Sequence, residues 1–138
     1  MHYGQNAKTM LPIFQASTTN AGTASGTVDC LGFKYLSIDV LLPTSNNATN
    51  NPSVLKLSES DTTDATNFSD IAAFTGDGAS GFTIPQCATA ATNITGPFAT
   101  LNVSLVGRKR YIGIAISPVT TQVITCVAKL SRAEQVPN

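Results

Sequence analysis

Apolar residues along most of this chain recur at every second position, and that periodicity limits the possible folds more than any other feature. Across Lys34–Leu42, residues Leu36, Ile38, Val40 and Leu42 fall on one side, with Tyr35, Ser37 and Asp39 on the other. Successive side chains of an extended strand point to opposite faces, so the run reads as a strand with one face buried. The alternation returns at Leu55 and Leu57, at Leu101, Val103 and Leu105, and at Ile112, Ile114 and Ile116. In the last run Ile124, Cys126, Ala128 and Leu130 form the more apolar face, which points Cys126 inward as a small hydrophobe.

Turn-forming residues separate these runs: Leu31-Gly32, the Asn-rich stretch from Pro43 to Pro52, Gly76 to Gly81, Gly96-Pro97, Gly107 and Pro118. Short strands with such punctuation predict an all-β fold, an antiparallel β-sandwich. About eight strands in two sheets suit the length, and the jelly roll is the expected arrangement. One piece reads as helical: Asn67–Phe74, where Phe68, Ile71 and Phe74 recur every three residues, as one or two turns closing an end of the sandwich.

The 138 residues suffice for one domain. We divide them into an extended N-terminal arm over 1–22 with a possible edge strand, a β-sandwich over 23–132 and a short tail over 133–138. The first residues lack the charged and apolar regions of a signal peptide, and no run of about 18 apolar residues exists, so neither secretion nor a membrane span is expected. Eight basic residues balance eight acidic ones. That balance argues against a general nucleic-acid binder, which needs a broad cationic excess. Three widely spaced cysteines, Cys30, Cys87 and Cys126, read as free thiols, with a Cys30–Cys126 bridge as the alternative.

Candidate chemistry is sparse. The single histidine, His2, lies in the arm, which leaves no base for a catalytic triad in the folded body. Asp61, Asp64, Asp70 and Asp77, with Glu59 beside them, fall in turn-like segments and read as solvated. Glu59–Asp64 lacks the spacing and the closing Glu of a calcium loop. The absence of Trp and the few Tyr argue against a platform for stacking sugars. Gly107-Arg-Lys-Arg110 is the one dense basic cluster, and it reads as the charged tip of a hairpin. Its other reading is a contact point, where Arg108 or Arg110 meets acidic groups on a partner. Neither a cofactor, a metal nor an enzymatic activity is expected.

The order Gly26-Thr-Val-Asp-Cys-Leu-Gly-Phe-Lys-Tyr-Leu36, Leu57-Ser-Glu-Ser-Asp61, Phe68-Ser-Asp-Ile71 and Lys109-Arg-Tyr-Ile-Gly-Ile114 resembles the small decoration, or cement, proteins of tailed-bacteriophage heads. The resemblance spans about residues 22–132 and is one of pattern, without a diagnostic motif. It implies a non-enzymatic virion protein, made in the bacterial host cytoplasm, that stabilises the capsid from outside by bridging major capsid protein subunits. It also implies self-association as a dimer or trimer at a symmetry axis, with no nucleic-acid or membrane partner. The contact residues expected on this reading are His2, Tyr3, Lys8 and Met10 of the arm together with Arg108, Lys109 and Arg110. The alternative is another virion component, of tail or fibre, that binds a host glycan or protein.

Overall fold

The computed structural model describes residues 7–18, 22–42, 52–85 and 98–133. Eight strands make up most of it: β1 (Ala7–Thr18), β2 (Ala24–Asp29), β3 (Phe33–Leu41), β4 (Val54–Ser60), β5 (Ser69–Thr75), β6 (Ala99–Ser104), β7 (Tyr111–Ser117) and β8 (Gln122–Ala133). They form two antiparallel four-stranded sheets, one ordered β1-β8-β3-β6 and the other β2-β7-β4-β5. The chain changes sheet at every connection except the one from β4 to β5. Eight strands interleaved in this way are a jelly roll.

The period-two pattern accounts for the core. Leu36, Ile38 and Val40 of β3, Leu55 and Leu57 of β4, Ile112, Ile114 and Ile116 of β7, and Ile124, Cys126, Ala128 and Leu130 of β8 are all buried in one cluster. Each strand thus places its branched side chains between the sheets, while polar neighbours such as Ser37 and Asp39 face outward. Leu42, predicted to share the inner face, lies past the end of β3 and is half-buried. Cys30 and Cys126 are free, buried thiols. Loss of water around them raises the Cys30 thiol to about 11 and that of Cys126 to about 12. At neutral pH both therefore stay protonated and unreactive. Cys87 lies outside the described residues.

Two expectations are corrected. The helical turn placed at Asn67–Phe74 is strand β5, preceded by a single 3-10 turn at Ala65–Asn67. The three-residue spacing arises from an irregularity: the pairing of β5 with β4 shifts between Ser58↔Asp70 and Lys56↔Thr75, leaving extra β5 residues bulged out. Bulges re-aim side chains and are common on edge strands, which β5 is. The 3-10 turn is capped by Asp64, whose carboxylate accepts from the Thr66 amide at 3.0 Å and the Thr66 hydroxyl at 2.8 Å. Those bonds hold the Asp64 carboxyl below its ordinary pKa.

The basic cluster is likewise not a hairpin tip. β6 ends at Ser104, and residues 105–110 cross from one sheet to the other before β7 begins at Tyr111. Leu105 continues the apolar alternation and is buried, but the chain turns there, so its burial serves the crossover. In the N-terminal segment, Ala7–Thr18 forms edge strand β1, which pairs along β8 with a register shift between Met10 and Phe14, around Pro12. This stretch completes the protein's own sheet.

Candidate partner-binding surface

Two crossovers between the sheets close the same end of the sandwich. From β2 to β3 the chain turns at Cys30-Leu31-Gly32-Phe33, with the Phe33 amide donating to the Cys30 carbonyl at 3.1 Å. From β6 to β7 it turns at Leu105-Val106-Gly107-Arg108, with the Arg108 amide donating to the Leu105 carbonyl at 3.0 Å. Gly32 and Gly107 occupy the third position with φ of 83° and 76°, the left-handed backbone that a type II turn needs there. Backbone bonds tie the two turns together: the Cys30 amide donates to the Arg110 carbonyl at 2.9 Å, and the Leu105 amide to the Lys34 carbonyl at 2.8 Å.

The two turns share one layout. Their first residues, Cys30 and Leu105, are buried anchors, whereas their second residues, Leu31 and Val106, are the most exposed large hydrophobics among the described residues, at 65% and 74%. A turn that holds an aliphatic side chain out in water has not placed it for the protein's own core.

Charged residues surround these tips and engage one another. Arg110 donates from Nε and Nη2 to the Asp29 carboxylate at 3.0 and 2.7 Å, a two-pronged pairing, and its guanidinium lies 4.9 Å from the Tyr111 ring centre. The bonds to Asp29 hold its pKa above the ordinary arginine value. Glu59 accepts from Arg108 Nη1 at 3.4 Å and from the Lys109 amide at 3.3 Å, and Asp61 accepts from the Arg110 amide at 3.4 Å. Asp29 also accepts from the Leu31 amide at 3.1 Å, which fixes the first turn. Sequence spacing concealed this grouping, because Asp29, Glu59 and Arg110 converge only through the β2-β7-β4 register.

The residues singled out in the sequence therefore fall into separate places. Arg108, Lys109 and Arg110 sit together at the cap, with both arginines paired to acids of the same chain. Lys8 and Met10 lie on edge strand β1, opposite Leu130 and Ala128 of β8. His2 and Tyr3 lie outside the described residues. The acidic residues considered for catalysis are dispersed: Asp70 pairs with Lys56 at 2.8 Å, and Asp77 accepts from the Ile84 amide at 3.1 Å. Leu31 and Val106 were missed, since a lone hydrophobe before a glycine carries no signal of its own. Among the described residues no helix is long and apolar enough to cross a membrane. No protein-family model matches the chain, and no curated protein is significantly similar to it.

Proposed function

We propose that this protein is a non-enzymatic structural component of a virion, which binds the outside of a phage capsid and bridges neighbouring major capsid protein subunits. The observation that carries the reading is the cap: two tied turns present Leu31 and Val106 to solvent beside the Arg108–Glu59 and Arg110–Asp29 ion pairs. An apolar centre with a polar rim has the anatomy of a protein-protein contact. The interleaved strand order adds support, because jelly rolls are a frequent architecture of capsid proteins. Fold alone does not define function, so the weight rests on the cap.

A protein that binds the assembled shell and not its dissociated subunits stabilises the shell by mass action. Association as a dimer or trimer at a symmetry axis multiplies weak contacts into a firm attachment. The test is cosedimentation of the purified protein with capsids that lack it, followed by heating. Saturable binding with a raised disruption temperature is the expected result. A folded protein that leaves the particles unbound and their disruption temperature unchanged would refute the reading.

A further inference from the structure

Across β6, β3 and β8, the outer face of their shared sheet divides into a half whose polar groups satisfy one another and a half whose polar groups do not. Register defines the rows across β6, β3 and β8: Ser104–Tyr35–Ser131, then Asn102–Ser37–Lys129, then Thr100–Asp39–Val127. Around Asp39 the side chains are mutually engaged, for Thr100 donates to it at 2.8 Å and Lys129 at 3.3 Å. In the other half, Ser37, Asn102, Ser104 and Ser131 line a shallow groove of about 600 Å³ together with Tyr35 and Arg132. No hydrogen bond among the described residues occupies those four polar side chains.

Arg132 marks this groove in two further ways. Alternation after buried Leu130 and outward Ser131 would aim position 132 at the inner face. Its φ of 55° breaks the alternation and sets the guanidinium 5.1 Å from the Tyr35 ring centre, on the outer face. Left-handed backbone is uncommon for a bulky residue and concentrates at binding sites. Arg108 and Arg110 each hold a carboxylate, whereas Arg132 has none among the described residues.

We propose that this groove binds a carboxylated saccharide, with Arg132 taking the carboxylate and Asn102, Ser37 and Ser131 the ring hydroxyls. Hydroxyl and amide groups both donate and accept, which matches the dual character of sugar hydroxyls. Guanidinium matches carboxylate in a two-pronged geometry, and the Tyr35 ring under the guanidinium holds it in place. The groove reaches edge strand β6, where a peptide could pair by its backbone, so competition with an acidic peptide is part of the test. One arginine is too little charge for a nucleic acid. The proposal concerns a different face from the cap and does not depend on capsid attachment, so either can fail while the other stands.

A matched pair of probes tests it: methyl glucuronide and methyl glucoside, which differ in the carboxylate, titrated into the full-length protein while amide NMR shifts are followed. The glucuronide should shift residues 35, 37, 102 and 131 saturably, and the glucoside should bind about tenfold more weakly, the contribution of one charge-assisted contact. Arg132→Gln should lower glucuronide affinity to that of the glucoside, and Tyr35→Ala should weaken the glucuronide more than the glucoside. The wild-type comparison stands even if a variant misfolds. Absence of groove shifts with either probe at millimolar concentration overturns the proposal, as does equal binding of the two. Displacement of glucuronide by an acidic peptide at equal concentration would also overturn it, by making the groove a carboxylate clamp for protein.

Discussion

Shaving the cap tips separates adhesion from stability. Leu31→Ala removes three carbons and Val106→Ala two, and each buried carbon is worth about 0.8 kcal/mol when a partner removes it from water. Only the fraction now exposed can be gained on binding, 65% for Leu31 and 74% for Val106. The double variant should therefore lose about 3 kcal/mol of attachment per site, about a hundredfold in Kd. Folding should hardly notice, because those carbons already face water and alanine suits the second position of the turn. Cosedimentation with decoration-free particles across a concentration series reads the affinity, and urea unfolding reads the stability. Wild-type affinity in the double variant would refute the cap as the contact, and a large fall in unfolding free energy would refute its independence from the core.

Gly107→Ala, at φ 76°, should cost about 1 kcal/mol and lower the melting temperature, since a side chain must then adopt left-handed backbone; an unchanged melting point would contradict the turn geometry. Arg110→Ala should leave the urea midpoint almost unchanged despite its short bonds to Asp29, because both partners are substantially exposed, and a large fall would refute this. Folding raises the thiol pKa values from 9.0 to about 11 for Cys30 and about 12 for Cys126, so the unfolded thiols ionise first. Their contribution is intact below pH 9 and should be lost as pH rises through that interval; urea midpoints that fall equally in a Cys30→Ala, Cys126→Ala variant would assign the loss to other groups.

The two-sheet core was legible because burial follows a rule of period two, which β3 and β8 keep from Leu36 to Val40 and from Ile124 to Leu130, while β7 keeps it in its three isoleucines although Gly113 between them is buried too. β5 was not, because its bulge against β4 replaces the strand period with a three-residue spacing that a helix also produces. The cap was half legible. Gly107-Arg-Lys-Arg110 announced a charged connection, but only the register of β2, β7 and β4 brings Asp29 and Glu59 to those arginines. Arg132 escaped for a related reason, since its outward position depends on one backbone angle that no residue type encodes.

Pairing within the cap also sets how attachment responds to salt. Arg108 and Arg110 already spend their charge on Glu59 and Asp29, and the chain as a whole carries as many basic as acidic residues. Little field is left to steer a partner, so encounter should proceed at the unsteered rate and the bound state should rest on Leu31 and Val106. Screening acts within about 10 Å at 0.1 M salt and weakens exposed charge contacts without removing apolar ones. Capsid affinity should accordingly change by less than about threefold between low and high sodium chloride, unlike contacts carried by free arginines. A steep loss of binding in salt would mean that the arginines leave their intramolecular acids on docking and pair with the shell instead.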